Sequence, residues 1–326
     1  MKRRVCMILL AAALLLLAAC GETPPVQKEL FAMDTVLSLK VWGDEAALNA
    51  VSDELLRLDA MLDATDAASE IGRLNAGETI TGEAAALVSA AVEFSRRTGG
   101  TFDLTVYPLV RLWGFTDETQ HVPERAELEA ALTQVGVEQI LLSDDTASLR
   151  SGAAVDLGGI AKGYAAEQCV AVLEQSGATA ALLSLGGNIQ TYGTKPDGSA
   201  WMIGIADPQQ PEQAVASVAV TGTKALVTSG GYQRYFEAGG VRYHHILDPK
   251  TGYPAESGLA SVTIIADSGT LADAYSTALF VMGLEKATEF WRSEQSFAAV
   301  FVTTDGVIYA TDGVSLSGCD YQVIER

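Results

Sequence analysis

The sequence predicts an α+β fold with largely antiparallel sheets and packed helices. Short β-rich runs and runs with helical spacing follow one another without the strict strand–helix–strand alternation of a parallel sheet. Near the C-terminus, Asp305-Gly306 separates two apolar runs, which is the pattern of a β-hairpin. No repeat, linker or low-complexity segment divides the chain after residue 29, so residues 30–326 are predicted to form one functional unit.

Six helices are predicted from apolar spacing and from the residues that start or stop them. The first carries four leucines on one helical face, Leu48, Leu55, Leu58 and Leu62. The second stops at Gly99-Gly100, the third starts after Pro123, the fourth ends at Gly177, and Gly283 divides the last two. The predicted helices are 44–63, 83–98, 124–135, 160–176, 270–282 and 285–292.

Strands are predicted where β-branched and aromatic residues gather in short runs. The first strand is Phe31 to Trp42, and the last two are the arms of the C-terminal hairpin, 298–304 and 307–311. The other predicted strands are 139–142, 180–185, 201–206, 215–220, 232–237, 241–247 and 260–266.

Composition narrows the class of protein. The chain has 326 residues, of which 48% are hydrophobic and 19% charged, as in globular rather than disordered proteins. Acidic residues outnumber basic ones, 41 to 21, and the net charge of −20 argues against a nucleic-acid partner because such a surface repels phosphates. No apolar run reaches the ~18–20 residues of a spanning helix. Cys169 and Cys319 are expected to be separate thiols rather than a disulfide.

The N-terminus has the pattern of a lipoprotein signal. Three basic residues precede an apolar run that ends at Ala19, and Cys20 follows within the sequence Leu-Ala-Ala-Cys. We predict a signal peptide over 1–19, a lipidated Cys20 with a Pro-containing tether over 20–29, and a lipid anchor on the extracytoplasmic side of a bacterial membrane. The alternative is an ordinary signal peptide with a chance cysteine.

The run from Val155 to Tyr164 places a Gly-Gly turn between a strand and a helix. A helix that begins at such a turn offers free backbone N–H groups and the positive end of its dipole to an anion. Lys162 lies in the first turn, where a cation is unfavourable for the helix alone. The motif indicates a site for an anionic ligand, and the alternative is a tight turn with a lysine that faces solvent.

The predicted helix at 270–282 has three oxygen-bearing side chains on one face. Asp273 and Thr277 are four residues apart, and Ser276 lies beside them. Such oxygens suit a hard cation such as Mg²⁺. The alternative is a polar stripe whose hydroxyls bond to helix carbonyls, and the pattern taken alone favours this alternative.

Two adjacent histidines, His244 and His245, come just before an Asp-Pro turn. Neighbouring strand residues point to opposite faces, so at most one of the two faces a given site. A histidine there can act as a general base or fill a structural place. The run from Gly99 to Phe115 is dense in glycine and aromatic residues, which is typical of a loop that wraps a ligand or covers a core.

Taken in order, these segments resemble the ApbE family, the FAD:protein FMN transferases. The resemblance covers nearly all of 30–320, and many members of the family are lipoproteins. The matching stretches are 31–35 (FAMDT), 69–75 (SEIGRLN), 101–115 (from Thr-Phe-Asp to Trp-Gly-Phe), 156–163 (DLGGIAKG), 185–188 (LGGN), 228–230 (TSG), 245–252 (HILDPKTG) and 272–274 (ADA).

The resemblance implies a T-fold-like α+β architecture with a flavin site between two interlocked halves. It implies Mg²⁺ as cofactor and FAD as the donor of FMN, which moves to a Thr or Ser hydroxyl of an acceptor protein through a phosphoester as AMP is released. The acceptors would be extracytoplasmic FMN-binding subunits of redox complexes such as Rnf or the Na⁺-pumping NADH:quinone reductase.

The family's site residues are carried over where its motifs match. His245 would be the general base, which selects it over His244, and the transfer rate would rise through a histidine pKa near ~6.5. Mg²⁺ would take the Gly159 carbonyl and the side chains of Asp273 and Thr277. FAD would contact Met33, Thr101, Phe102, Asp103, Asp156, Lys162 and the backbone at Leu247.

Three positions depart from the family's pattern. Thr65 stands where an aromatic residue often packs on the flavin, Ser276 where some members have an acid, and Asp34 where a glycine is usual. Two other functions stay open. An FAD pyrophosphatase would release FMN and AMP without an acceptor, and a non-catalytic flavin-binding lipoprotein would bind FAD without turnover.

Overall fold

The computed structural model describes residues 24–117 and 119–326 and confirms the α+β class. The predicted signal peptide, Cys20 and residues 21–23 lie outside the described residues. Short 3-10 turns occupy Leu104–Val106 and Val137–Gln139. The helices are α1 (Glu45–Leu62), α2 (Glu70–Asn75), α3 (Gly82–Arg97), α4 (Tyr107–Leu112), α5 (Arg125–Leu132), α6 (Ala161–Ser176), α7 (Gly269–Met282) and α8 (Leu284–Ser293).

The strands contribute to one large sheet and three small ones. They are β1 (Val26–Ala32), β2 (Thr35–Trp42), β3 (Ile80–Thr81), β4 (Ile140–Ser143), β5 (Thr146–Leu149), β6 (Ala180–Leu185), β7 (Asn188–Gly193), β8 (Trp201–Ala206), β9 (Ala214–Val220), β10 (Lys224–Gly230), β11 (Tyr235–Ala238), β12 (Val241–His244), β13 (Leu259–Ala266), β14 (Phe297–Thr303), β15 (Ile308–Thr311), β16 (Leu316–Ser317) and β17 (Gln322–Ile324).

The large sheet runs in the order β1-β2-β6-β7-β10-β13-β14-β15-β17, and its neighbours are antiparallel except for β15 and β17. One face carries α1, α6 and α7 through an apolar core that includes Leu37, Leu183 and Ile264. The opposite face packs on the small sheet β16-β9-β8 through a second core that includes Trp201 and Val300. The large sheet is therefore the central layer of the fold.

The strand predicted over 31–42 is instead a hairpin. β1 pairs with β2 along its whole length, and Met33 and Asp34 form the turn with φ of 53° and 57°. Among residues other than glycine, Asp is one of the few that adopts this left-handed conformation readily. Asp34 therefore suits the positive φ that this turn requires.

The tether predicted over 20–29 is shorter than expected, because Val26–Glu29 belong to β1. Gln27, Lys28 and Glu29 are exposed on this edge strand, and a polar run of this kind carries no strand signal in the sequence. Six further strands, β3, β5, β7, β10, β16 and β17, have no predicted counterpart. β7 includes the buried polar residues Gln190 and Thr191, which conceal its buried face.

Two predictions from the composition concern membrane-spanning helices and the two cysteines. No helix within 24–117 and 119–326 combines the length and the hydropathy needed to cross a membrane. Cys169 is buried in α6, Cys319 lies near the C-terminus, and both are free thiols as predicted.

Helices α6 and α7 cross near their N-termini, where two glycines let the backbones meet. A Cβ on Gly163 would stand 2.1 Å from the Gly269 carbonyl oxygen, and a Cβ on Gly269 would stand 2.4 Å from the Gly163 carbonyl oxygen. The Glu167 carboxylate fastens the crossing, because it accepts from the Ser268 hydroxyl at 2.7 Å and from the Thr270 hydroxyl at 2.8 Å. No side chain fits at either glycine.

Gly163→Ala should destabilise the fold, although alanine is the better helix former by ~1 kcal/mol. The new methyl group would overlap the Gly269 carbonyl and stand 2.6 Å from the Asp273 Cβ, so the helices must separate. Overpacking of this kind costs ~1–3 kcal/mol or more, and we expect about that loss in the free energy of unfolding by urea. The control is Gly204→Ala, whose Cβ would stand 3.3 Å from the Ala214 Cβ. Equal stability of the two variants would contradict the tight crossing.

Candidate active site

Asp273 is a buried carboxylate at the crossing of α6 and α7. Its Oδ2 accepts from the Gly163 backbone N–H at 2.7 Å, and its Oδ1 accepts from the Asn188 side-chain amide at 3.3 Å. Burial raises the pKa of Asp273, while the nearby charge of Lys162 and these hydrogen bonds lower it. Each carboxylate oxygen keeps a further lone pair, so the group can also bind a cation.

The anion at the N-terminus of α6 is therefore the protein's own Asp273. The Gly163 N–H points at this carboxylate, and the N–H groups of Ile160 and Ala161 donate to the Leu157 carbonyl at 2.9 and 2.8 Å. The expectation that the start of this helix offers its N–H groups to a ligand is wrong for these three groups.

Thr277 lies one helical turn after Asp273 and is half-buried. A Cβ on Gly159 would stand 3.4 Å from the Thr277 hydroxyl oxygen and 3.2 Å from the Phe102 ring, so Gly159 lies against both residues. Carboxylate, hydroxyl and carbonyl oxygens are the hard donors that Mg²⁺ prefers. The residues predicted to hold Mg²⁺ thus lie within one small region.

This set contains a single carboxylate. Across 24–117 and 119–326 no cluster of three or more His, Cys, Asp or Glu residues could hold a metal ion. Mg²⁺ often takes one or two carboxylates and completes its shell with waters and substrate phosphates, so the donors present fit it. The assignment of Gly159, Asp273 and Thr277 to Mg²⁺ stays a prediction.

Asp156 and Lys162 flank the Gly-Gly turn. The Asp156 N–H donates to the Leu104 carbonyl at 2.8 Å, and its Oδ1 accepts from the Gly158 N–H at 2.8 Å, which shapes the turn. Burial raises the pKa of Asp156, and the charges of Lys162 and Arg234 lower it. The Lys162 Nζ lies 3.5 Å from the Gly158 carbonyl oxygen, and its charge also acts on Asp273.

His245 has a fixed ring. Its Nδ1 lies 3.1 Å from the Arg234 carbonyl oxygen, and a carbonyl can only accept, so Nδ1 carries the hydrogen and Nε2 is left as an acceptor. Burial, aided by the charges of Lys162 and Arg234, lowers the pKa of His245 to about 3. This pKa is well below the ~6.5 expected from the sequence. The imidazole is therefore neutral at physiological pH.

His244 faces the other way, as strand geometry predicts. Its ring packs edge-on against Phe280 with centroids 5.5 Å apart, and a Cβ on Gly231 would stand 2.8 Å from it. The His245 ring instead lies 6.5 Å from that of Phe115. Burial lowers the pKa of His244 as well, and its half-buried ring packs against the protein rather than facing the site.

Met33 sits at the tip of the β1–β2 hairpin. Its backbone N–H donates to the Asp59 carboxylate on α1 at 2.8 Å, which holds the tip in place. The charge of the neighbouring Asp34 raises the pKa of Asp156. The hairpin tip therefore lies on the same side of the molecule as the Gly-Gly turn, where an FAD contact was predicted for Met33.

The predicted FAD contacts Thr101, Phe102 and Asp103 connect α3 to the first 3-10 turn. The Thr101 hydroxyl donates to the Thr98 carbonyl at 3.0 Å, and the Phe102 ring is buried against Gly159. The Asp103 Oδ1 accepts from the Thr105 N–H at 2.8 Å and from its hydroxyl at 2.5 Å. Asp103 thus caps the 3-10 turn, which leaves Oδ2 for a ligand.

Leu247 is buried in an aromatic cluster with Leu109, Trp113 and Phe115. Its strand bridge to Pro254 anchors the loop, and the Trp113 indole donates to the Gly252 carbonyl at 2.8 Å. Because the side chain is enclosed, a contact between Leu247 and FAD would have to use the backbone, and this contact stays a prediction.

Three residues of this region were not among the predicted site residues. Asn188 bonds to Asp273, Ser229 lies 3.2 Å from the Thr277 hydroxyl, and Arg234 supplies the carbonyl that orients His245. Asn188 follows a Gly-Gly pair and Ser229 precedes one, both in segments that match the family, which is a weak signal. A backbone carbonyl such as that of Arg234 leaves no signal in a sequence.

Comparisons with known proteins agree with this architecture. The model of the ApbE family matches residues 33–301. A Klebsiella pneumoniae protein named FAD:protein FMN transferase is 34% identical over 306 residues, which cover 90% of this chain and 95% of the relative. A Treponema pallidum protein of the same name is 35% identical over 290 residues, which cover 82% of this chain and 80% of the relative.

The crystal structure of the ApbE protein from Thermotoga maritima superposes with a TM-score of 0.83 at 35% identity, and it covers 88% of this chain and 97% of its own. The family model, the curated relatives and the solved structure therefore all identify the same family. The chain belongs to the ApbE family and is an enzyme of that family.

Proposed function

We propose that this enzyme transfers FMN from FAD to a threonine or serine hydroxyl of an acceptor protein, with Mg²⁺ as cofactor. The hydroxyl oxygen bonds to the phosphorus of the FMN half, the bond from that phosphorus to the bridging pyrophosphate oxygen breaks, and AMP leaves. The observation that carries the proposal is geometric: Gly159 lies against Thr277, and the N–H of Gly163, the residue after Lys162, donates to the buried Asp273 carboxylate at 2.7 Å. This supports a site in which a phosphate-binding cation and a metal-binding carboxylate work together.

Gly159, Asp273 and Thr277 are the residues that would hold Mg²⁺. The Asp273 carboxylate is buried, so a cation beside it would offset the unfavourable desolvation of its charge. When bound, Mg²⁺ neutralises charge on the pyrophosphate and polarises the phosphorus for attack.

FAD would lie between the hairpin tip and the loop that ends at Leu247. Lys162 would be the cation for its pyrophosphate, since the N–H groups of Ile160, Ala161 and Gly163 donate to partners within the protein. Lys162 would also stabilise the AMP phosphate as it leaves. The other contacts that we propose are Met33, Thr101, Phe102, Asp103, Asp156 and the backbone at Leu247.

His245 would take the proton of the acceptor hydroxyl on Nε2. A Thr or Ser hydroxyl is a weak nucleophile until a base removes its proton. The lowered pKa of His245 keeps the base form present at neutral pH but weakens it as a proton acceptor, so the gain lies in position rather than in basicity. From Nε2 the proton passes to solvent or to the departing phosphate.

FAD hydrolysis is a second candidate activity, and Thr65 is the observation that favours it. Thr65 is exposed, and its hydroxyl and N–H both bond to the Asp63 carboxylate at 2.7 Å, so it does not supply the aromatic cover usual at this place. Water could then replace the acceptor hydroxyl. Release of FMN and AMP in the absence of acceptor measures this activity.

We further propose that the enzyme is lipid-anchored at Cys20 and acts on extracytoplasmic acceptors, the FMN-binding subunits of membrane redox complexes. Only residues 21–25 separate Cys20 from the start of β1 at Val26. A tether of five residues would hold the enzyme close to the membrane that carries such complexes.

Asp273→Asn should keep the fold and lose most transfer activity, since the amide removes the negative charge that a metal ion requires. Thr277→Val should lose less, because it removes a neutral ligand. The measurement is FMN transfer across a Mg²⁺ titration. The control Asp267→Asn changes an exposed carboxylate that pairs with Lys224 and should be neutral. Full activity of Asp273→Asn in EDTA would refute the metal assignment.

His245→Gln should slow single-turnover transfer by ~10²–10⁴-fold with FAD affinity unchanged, as expected for loss of a general base. His244→Gln is the matched control and should affect stability more than rate, because that ring packs in the core. A parallel loss of FAD binding in His245→Gln would make this residue a ligand contact instead.

The pH profile of wild-type transfer gives a separate test of His245. Burial lowers the pKa of this imidazole to about 3, so its base form persists as pH falls from 8. We expect the single-turnover rate to stay level down to about pH 5.5, where an ordinary histidine of pKa ~6.5 would be largely protonated. A rise of the rate through pH ~6.5 that is absent in His245→Gln would show that the ring is not desolvated.

Cys20→Ala should leave an unprocessed precursor in the membrane fraction, because lipidation of Cys20 would precede cleavage. The measurement is the intact mass and the fractionation of the expressed protein. Normal cleavage and release of Cys20→Ala would overturn the lipoprotein proposal.

A further inference from the structure

A chain of hydroxyls, two of them buried, leads from the half-buried Thr277 to the backbone of Asp273. The Ser276 Oγ lies 2.8 Å from the Asp273 main-chain carbonyl oxygen, and the Ser229 Oγ lies 2.8 Å from the Ser276 Oγ. The Ser229 Oγ also lies 3.2 Å from the Thr277 Oγ1. Ser276 is fully buried and Ser229 is 8% exposed, so the hydrogens of both hydroxyls must go to protein partners.

The direction of every hydrogen in this chain follows from its last member. A carbonyl only accepts, so Ser276 donates to Asp273 and has no hydrogen left. Ser229 must then donate to Ser276, and Thr277 must donate to Ser229. The hydrogen of Thr277 therefore points toward β10, and both lone pairs of its oxygen face away from Ser229.

We propose that Ser229 is a positioning residue that turns the lone pairs of Thr277 toward the Mg²⁺ site. This inference rests on the proposed function for the identity of the metal. A Cβ on Gly159 would stand 3.4 Å from the Thr277 Oγ1, so Gly159 lies in van der Waals contact with the Thr277 hydroxyl. A cation held by the Gly159 carbonyl and Asp273 would meet oxygen lone pairs on Thr277 and not an O–H hydrogen.

Without Ser229 the Thr277 hydroxyl can adopt other orientations. It can rotate to bond to the carbonyl of Asp273, four residues earlier, as helical threonines commonly do. It can also turn its hydrogen toward the cation, which repels the metal ion. In both cases the Thr277 oxygen is unavailable to the metal ion for part of the time, although Thr277 itself is unchanged. Partners of this indirect kind commonly change metal affinity by ~10–100-fold.

The test is a double-mutant cycle on Mn²⁺ affinity, measured on the full chain by loss of the free Mn²⁺ electron paramagnetic resonance signal. Mn²⁺ is the probe because it takes the oxygen donors of a Mg²⁺ site. We expect Ser229→Ala to weaken Mn²⁺ binding by about 10-fold and to have no effect in the Thr277→Val background. Equal losses in both backgrounds would overturn the proposal, because Ser229 would then act without Thr277.

Two further variants separate orientation from packing. Thr228→Val removes a hydroxyl from the same strand whose partner is the Thr263 hydroxyl at 2.8 Å, so it should leave Mn²⁺ affinity unchanged. Ser229→Cys keeps the space filled with a slightly larger thiol that is a weak donor and acceptor, and it should behave like Ser229→Ala. Wild-type affinity in Ser229→Cys would overturn the proposal.

The readout also separates this inference from the proposed function. Coupled Mn²⁺ affinities in a protein that transfers no FMN would support the role of Ser229 and reject the transfer reaction. Mn²⁺ binding that is indifferent to Asp273→Asn would reject both, because the metal would then lie elsewhere.

Discussion

The hydrogen bond from the Gly163 N–H to the Asp273 carboxylate is the contact on which the site depends. It requires the backbones of α6 and α7 to touch, which only glycine at 163 and 269 permits. The same contact places a carboxylate at the positive end of the α6 dipole, where a negative charge is stabilised. Packing and electrostatics are therefore satisfied by one arrangement, and Lys162, Asp273 and Thr277 acquire fixed positions from it.

Charge explains why a cation belongs in this arrangement. The protein carries −20 overall, and the two acids nearest the Gly-Gly turn, Asp156 and Asp273, are held in surroundings that raise their pKa. A pyrophosphate brought to this place would meet repulsion that Lys162 alone only partly offsets. A divalent cation between the carboxylate and the phosphates removes this repulsion, which is why the Mg²⁺ and FAD proposals support each other.

The sequence predicted the elements with strong periodicity and clear caps. Helix α1 begins one residue after its predicted start, because Asp44 caps it, and α6 ends at Gly177 as predicted. The β1–β2 hairpin was hidden because its turn is Met33-Asp34, which carries no glycine or proline. β7 was hidden because its buried residues are polar.

In the candidate site too, some features could be predicted from the sequence, and others depend on the tertiary structure. Helix geometry placed Asp273 and Thr277 on one face, and strand geometry placed His244 and His245 on opposite faces, while the choice of His245 came from the resemblance to the family. Three features depend on tertiary contacts: the bond from the Gly163 N–H to Asp273, the orientation of His245 by the Arg234 carbonyl, and the hydroxyl chain through Ser229. No spacing rule connects residues 163 and 273, or 229 and 277, before the sheet order is known.

The most direct test of the central claim is the intact mass of an acceptor protein after incubation with this enzyme, FAD and Mg²⁺. Transfer predicts an increase by one FMN less one water, together with one AMP released for each acceptor modified, and no increase when the acceptor hydroxyl is replaced. Free FMN and AMP with an acceptor of unchanged mass would contradict the account and identify the enzyme as a hydrolase.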